Sequence, residues 1–420
     1  MILVQNHRQL LSGNKALAFM LIFWILGACS PKIQKPAKPA QEPGLEKKDN
    51  KQVEEEKKKV PSEESQLAKI SLILPFEVHK LDLSASATRS GLSKADLAID
   101  YYQGFKMALD SLTASGYNFK LQVFDSKDDR LKLQSLAFNP QIRLSDLIVG
   151  PVFPDEIKSF SAVSGAANKP LVSPLSPASP SEYKNENLIT IIPPLEYHAY
   201  GAAEFVKKKL NPQKVFILKS GYNDDNKYSI PFKTAIDSLG KKTIAIVEKT
   251  ITKGNLADII PQLSTSRENV IIIPSDKQAF LQMIIRSLDE ISSEFPITVI
   301  GHPSWAKASY LRAEILQKLK TRITSSDNVD YNDQITINFI NNYRKAFEYA
   351  PGEYAIKGFD EGWYFGKLLA SDPQALKNLN KFSLQLLHNK FDFIKTSNGG
   401  WVNRHVYIMK YEDFELKAEK

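Results

Sequence analysis

Residues 146–180 read DLIVGPVFPDEIKSFSAVSGAANKPLVSPLSPASP, and the reading of this stretch decides the fold. Leu147 to Val149, closed by Gly150, is too short an apolar run for a helix and predicts a buried strand. A helix follows it. Asp155 and Glu156 place negative charge in the first turn, and Ile157, Phe160 and Val163, spaced by three, lay one apolar stripe along a sheet. Lys169 and Pro170 end that helix, Leu171 and Val172 begin a second short strand, and Ser173 to Pro180 leave its carboxyl end as a Ser/Pro loop. This is a βαβ unit. Ligands of open parallel sheets sit outside the carboxyl ends of strands, so the loops Gly150–Pro154 and Ser173–Ser179 are where a site is expected.

The same grammar extends in both directions. Upstream, Lys69–Pro75 predicts a buried strand and Ser84–Ser93 a Ser-rich loop. Asp96–Leu112 predicts a helix with Ile99, Tyr102, Phe105, Met107 and Leu109 mostly on one face, Gly116 ends it, and Phe119–Phe124 predicts a strand. Asp125–Arg130 reads as a charged turn, because the oxygen spacing and glycine of a calcium loop are missing. Downstream, the strand Leu188–Ile192 runs into Pro193–Pro194 and a second round begins with a helix at Tyr197–Leu210. Strands are predicted at Val215–Leu218, Thr243–Val247, Val270–Pro274 and Ile297–Ile300, with helices at Phe232–Leu239, Leu256–Leu263 and Phe280–Ile291 between them. Thr321–Ser326 is a short β-prone piece before two long helical patterns, Asn332–Tyr349 and Tyr354–Leu369, and strand-like segments near Phe391–Phe393 and His405–Lys410 close the chain. The fold class is therefore α/β: two doubly wound parallel-sheet lobes.

At the front stands a leader, 1–28, with Arg8 and Lys15 but no acid, then an apolar run from Ala16 to Leu26 too short to span a membrane as an ordinary helix. Leu26–Gly27–Ala28–Cys29 resembles the bacterial lipobox, which implies that Cys29 is acylated and heads the mature chain. Cys29 is the single cysteine among 420 residues, which leaves none for a disulfide or a thiolate metal site. Residues 29–67 form a Pro/Lys/Glu-rich linker with almost nothing to bury, so it reads as disordered, with a typical reach on the order of 35 Å. The formal net charge of +8 is mostly lysine interleaved with glutamate, the pattern of a solvated tail and not of a nucleic-acid surface.

From Lys69 onward the pieces KISLILPF, YYQGFKMALDSL, LIVGP, ANKPLVSPLS, ITIIPPLEYHAYGAAEFV with VFIL, and YAPGEYAIKGFDEGWYFGKLL resemble, in order and spacing, the type I periplasmic binding fold. Within it the resemblance is to the leucine-binding-protein-like receptors of amino-acid ABC transporters. It implies two lobes joined by a hinge. Residues 68–193 plus 327–369 would make lobe one, 194–320 plus 370–420 lobe two, and 321–326 a hinge crossing. The family's ligand loops take the form G-x-x-x-S and S-P-x-[AS]-T. Here Pro154 stands where the first hydroxyl would be, and Ser173, Pro174 and Ser176 keep the second loop while Pro177 replaces its threonine. A proline offers neither hydroxyl nor backbone donor. The family's aromatic–Gly-x-Gly survives only as Tyr228–Ser229–Ile230–Pro231. The residues expected at the mouth are Phe76, Phe153, Ser173, Ser176, Tyr197, Tyr222, Tyr228, Ser275, Asp276 and His302. Rings, hydroxyls and one acid suit a small polar ligand, amino-acid-like or amide-like.

No catalytic motif is present: no G-x-S-x-G elbow, no phosphate-cradling Gly loop, no H-E-x-x-H and no paired cysteines. Asp360 and Glu361 are neighbours on a helical pattern, about 100° apart, and make a poor acid/base pair. The expectation is a non-enzyme without cofactor or metal. It would be a lipid-anchored extracytoplasmic binding protein that serves an ABC permease, at the periplasmic face of the outer membrane if Ser30 acts as in enterobacterial sorting. The alternative is an envelope lipoprotein that uses the same fold as a scaffold or regulator of cell-wall synthesis.

Overall fold

The strand Ala68–Leu74 (β1) is buried on both faces, with Ile70, Leu72 and Leu74 in one core and Ile73 in another. Two-sided burial of that kind requires a parallel sheet covered by helices above and below. The computed structural model describes residues 67–77, 89–164, 168–372, 374–397 and 399–419. The leader, Cys29, the linker and most of the Ser-rich loop therefore lie outside the described residues. Among those described, no helix is long and apolar enough to cross a membrane.

The helix Arg89–Ala114 (α1) leads to β2 (Phe119–Asp125), and α2 (Arg130–Ala137) leads to β3 (Leu147–Val149). The helix α3 (Pro154–Ser164) joins β3 to β4 (Leu171–Ser173), and β5 (Leu188–Thr190) follows. All five strands run parallel, in the order β5-β4-β3-β1-β2. The quoted βαβ unit is confirmed in detail. Leu147, Val149 and Val172 face the α1 side, whereas Ile148, Leu171, Ile157 and Phe160 fill the other core with Leu133 and Leu136 of α2. Each such fully buried apolar side chain contributes about 1.5–3 kcal/mol. Gly150 closes β3 at φ +90°, where a Cβ would stand 2.1 Å from the Ile73 carbonyl oxygen, so only glycine allows this turn beside β1.

The chain then crosses to a second sheet through 191–194. The helix α4 (Leu195–Phe205) continues as a π-helical turn, Val206–Leu210, and is followed by β6 (Lys214–Lys219), α5 (Asn226–Leu239), β7 (Ala245–Thr250), β8 (Asn269–Ile273), α6 (Gln278–Ile291), β9 (Ile297–Gly301) and β10 (Arg322–Ser325). Along β6 the alternation is strict: Val215 and Ile217 pack with α4 and α5, Phe216 and Leu218 with α6. A second crossing, 326–333, returns the chain to the first lobe as α7 (Gln334–Phe347) and α8 (Glu353–Ser371). There α8 lies against α1 and the Tyr101–Phe105 face of the first core.

Three sequence expectations need correction. Residues 321–326 are not a hinge crossing: Ile323 is 1 % exposed and β10 pairs with β9, so the apolar run is a core strand of the second sheet. Residues 370–420 are not all in lobe two. A hairpin of β11 (Leu384–Gln385) and β12 (Lys390–Phe391) leads to β13 (Phe393–Lys395) and β14 (Trp401–Asn403), and β14 pairs with β5 in the first sheet, burying Phe391 and Phe393 under α8. The third crossing is thus 404–406, after which β15 (Tyr407–Glu412) extends the second sheet antiparallel to β10 and β16 (Glu415–Ala418) pairs antiparallel to β15. Residues 256–263 form turns and the short 3₁₀ segment Ile260–Gln262, because Pro261 cannot donate to a helical ladder. The charged turn expected at Asp125–Arg130 is present, and it ends at α2, whose N-cap Asp129 accepts from the Lys132 amide at 2.8 Å.

Candidate functional site

Both sheets are parallel at their centres, so each presents the loops after its strands along one edge. On the first lobe these loops carry Phe76 and Glu77 after β1, Ser126 and Asp128 after β2, Phe153 and Glu156 after β3, and Ser173 to Ser179 after β4. Phe76 meets Tyr102 edge-on at 6.3 Å, and the Lys94 ammonium lies 5.5 Å from the centre of the Phe153 ring. Lys94 also binds Asp128 and stands 3.7 Å from Glu77, which together hold its pKa up. Glu156 reaches back to the Phe153 amide at 3.2 Å, in the manner of a capping-box residue, and its burial pushes the carboxyl above the usual range. Ser173 is fully buried and donates to the Ser176 carbonyl at 2.8 Å, so its hydroxyl is engaged within its own loop. The Ser176 hydroxyl, also buried, has no partner among the described residues.

On the second lobe the wall is built from the ends of β6, β8 and β9. Asp225 accepts from both the amide (2.6 Å) and the hydroxyl (2.7 Å) of Ser220, which folds the Gly221–Asp224 loop over it. Its other oxygen, the Tyr228 hydroxyl and the Ser229 hydroxyl are all buried and unpartnered among the described residues. Tyr228 stacks on Phe232 and lies 5.9 Å from the His302 ring. Burial raises the Tyr228 pKa and lowers that of His302 to about 4, so both are neutral at physiological pH. Nδ1 of His302 accepts the Ser304 amide at 3.1 Å, which leaves the proton of the neutral ring on Nε2, a donor. Trp305 anchors this wall. It fills the space over Gly301, where a Cβ would come within 2.4 Å of the indole, and donates to the Ser275 carbonyl at 3.0 Å.

The remaining expected residues are distributed differently. The Ser275 hydroxyl accepts from the Lys277 amide at 3.2 Å, and Asp276 is exposed and paired with Lys277 at 2.8 Å. Tyr222 is 60 % exposed, with the Lys277 ammonium 5.8 Å from its ring centre. Tyr197 is not at these strand ends. It packs edge-on against Tyr200 at 5.6 Å and lines a cavity of about 590 Å³ with Gly201, Arg404, His405 and Val406 at the third crossing. Sequence reasoning missed Glu77, Glu156, Asp225 and Ser229. Of these, Glu156 had a legible signal in its place two residues into a helix that opens Pro-Asp-Glu, and Asp225 was hidden in the polar run Tyr222–Lys227. Asp360 and Glu361 do diverge: Asp360 accepts from the Leu387 and His388 amides and from the His388 ring, whereas Glu361 accepts from the Tyr101 hydroxyl at 2.7 Å. No group of His, Cys, Asp and Glu suited to a metal ion occurs among the described residues.

No protein-family model and no curated protein matches the sequence. Solved structures match across 84% of the chain. A protein described as a branched-chain amino acid ABC transporter from Rhodospirillum rubrum superposes with a TM-score of 0.61 at 12% identity, over 100% of its own length. An ABC transporter substrate-binding protein from Desulfitobacterium hafniense gives 0.56 at 16% identity, also over its full length. The chain has the type I periplasmic binding fold. The fold is shared as well by LpoA from Haemophilus influenzae, with a TM-score of 0.54 at 14% identity over 59% of that chain. In this type I fold the two walls described above are the loop edges of the two lobes.

Proposed function

We propose that the protein is a lipid-anchored extracytoplasmic solute-binding protein that holds a small polar ligand between its two lobes and serves an ABC transporter. The observation that carries this reading is the set of buried, unpartnered polar atoms at the strand ends of the second lobe: Asp225, Tyr228 and Ser229 beside a neutral His302. Buried polar groups ordinarily find partners, and each one left without costs about 1–3 kcal/mol, so three together are best explained by a ligand that completes them. Rings at Phe76, Phe153 and Tyr222 would supply the apolar contact, and the hinge would close the walls by the ligand's differential affinity for the closed state. Cys29 is the proposed attachment point for lipid.

A second reading is favoured by one feature of the first lobe. The Ser173 hydroxyl, which amino-acid receptors of this fold would turn toward ligand, is spent on Ser176, and prolines occupy the neighbouring hydroxyl positions. A first lobe whose Ser173 hydroxyl is engaged within its own loop suits an envelope scaffold that binds another protein. A thermal-shift screen with amino acids, small amides, nucleosides and muropeptides separates the two. A ligand at about 100 times its Kd stabilises the folded state by roughly 2.7 kcal/mol. A hit lost in Tyr228→Phe supports the solute receptor, and silence across the panel from a well-folded protein supports the scaffold.

A further inference from the structure

A second cavity of about 590 Å³ shares no lining residue with the strand-end walls and lies on the first lobe beside the second crossing. Its volume falls within the roughly 300–1,000 Å³ typical of small-molecule sites. One side is α8, which presents Phe359, Asp360 and Trp363. The others are the β11 hairpin with Leu384 to Leu387, the first turn of α7 with Ile335, and Tyr407 just beyond the third crossing. The walls are thus aromatic and aliphatic. The charged side chains that line it are Asp330, Asp333 and Asp360, and all are acidic, on a chain whose net charge is +8.

These acids are not equivalent. Asp360 is 1 % exposed and saturated by the Leu387 amide (3.1 Å), the His388 amide (2.8 Å) and the His388 ring (2.6 Å), so it fixes the floor. Asp330 spends one oxygen on the Asn332 amide at 2.9 Å, and Asp333 spends one on the Ile335 and Thr336 amides as the N-cap of α7. Each keeps a second oxygen without a protein donor among the described residues. Two lysines of α8 are engaged with other partners: Lys357 with Asp327 at 3.2 Å, and Lys367 with the Trp363 indole, 4.6 Å from the ring centre.

We infer that this cavity is a second binding site, with a lining distinct from the strand-end walls, for a small amphipathic cation: a protonated amine on an aromatic or short alkyl body. The body fills the space between Trp363, Phe359, Leu384 and Leu386, and the ammonium meets the open oxygens of Asp330 and Asp333. Because Asn328 and Tyr407 border the crossings, and Tyr407 is tied to Gln385 at 2.9 Å, occupancy also braces the junction between hairpin and hinge.

The test uses the full chain titrated by calorimetry and tryptophan fluorescence with phenylbutylamine, its neutral isostere phenylbutanol and its anionic isostere phenylbutyrate. The expected order is amine, then alcohol about tenfold weaker, then carboxylate without saturation, with the amine saturating at a Kd of about 1 mM or below. Asp330→Asn keeps the acceptor for Asn332 and should weaken the amine about fivefold while leaving the alcohol unchanged. Equal affinity of the three isosteres, or no saturation by the amine, overturns the assignment without recourse to any variant. An amine affinity unchanged in Asp330→Asn overturns the role given to that carboxylate.

Discussion

The contact of α1 with α8 depends on glycines, and substituting them one at a time gives a graded test of how tightly the first lobe is packed. Gly358, Gly362 and Gly366 recur every fourth residue along α8, and Gly104 faces them from α1. A Cβ on Gly104 would lie 1.9 Å from the Ala355 carbonyl oxygen, and one on Gly358 would lie 2.2 Å from that of Tyr101. Ordinary contacts are 3.4–4 Å, so either alanine must push two helix backbones apart by more than an ångström and loosen every neighbouring side chain. Overpacking of this kind costs about 1–3 kcal/mol, and more where backbone must move, against a gain of about 1 kcal/mol for alanine over glycine in a helix. We expect Gly104→Ala and Gly358→Ala to lose about 2–4 kcal/mol net. At Gly366 the obstructing atoms are the tips of Leu109 and Leu112 at 2.8 Å, which can rotate away, so Gly366→Ala should fall within about 1 kcal/mol of the parent. Urea and thermal unfolding of each variant, with a shift of about 2–4 °C for each kcal/mol, reads the series. A Gly358→Ala protein as stable as the parent, or less destabilised than Gly366→Ala, would show that the helices do not approach as described.

Three further outcomes follow from buried polar groups. His198 bonds to the Thr324 hydroxyl at 2.9 Å, and burial lowers its pKa from 6.5 to about 4. The unfolded chain therefore binds the extra proton first, and stability complete above about pH 6.5 should drain away as pH falls toward 4, by up to roughly 3 kcal/mol. His198→Gln should flatten unfolding curves measured across that window. Glu361, fully buried against Tyr101, has its carboxyl pKa raised well above the usual range, chiefly by burial. The folded state then holds a proton the unfolded state releases, so stability is full below the ordinary glutamate pKa and declines as pH rises. Glu361→Gln should remove that decline in a denaturant series from acid to neutral pH, and an unchanged slope would count against a protonated Glu361. Ser173→Ala should cost about 1 kcal/mol by deleting the bond to Ser176, yet leave cleft affinity within about twofold in calorimetry, because its hydroxyl is already committed to the Ser176 carbonyl.

Most of the strand–helix alternation was legible because apolar periodicity reports burial directly. KISLILP, LIVG and VIIIP are too apolar and too short to be anything but buried strands, and the structure gives each a parallel neighbour on both sides. The failures have local causes. Leu256, Ile259 and Leu263 copy helical spacing because Leu256 and Ile259 tuck into the second core from a turn, and the decisive residue was Pro261. β13 and β14 are three residues each, so neither carries a period, and their sheet is chosen by the open edge of β5, which no local pattern encodes. The site was read less well for the same reason. Sequence could nominate Ser173 and Tyr197, but whether a hydroxyl turns inward to Ser176, or a ring slides under Arg404 and Val406, is set by contacts between distant segments.

The late return of the chain through β13 and β14, and then through β15 and β16, bears on how the protein is made. On the ribosome, residues up to about 383 already contain the interiors of both sheets, but β5 and β10 each still lack one neighbour and expose a row of free amides and carbonyls. Unpaired edges of that kind invite pairing with other chains. Neither lobe can close its sheet before the segment 393–418 emerges, so the two halves mature together and not in sequence. A nascent chain must stay shielded until then, and a truncation between Ser325 and Phe393 yields two unfinished lobes where a conventional domain boundary would have yielded one finished lobe.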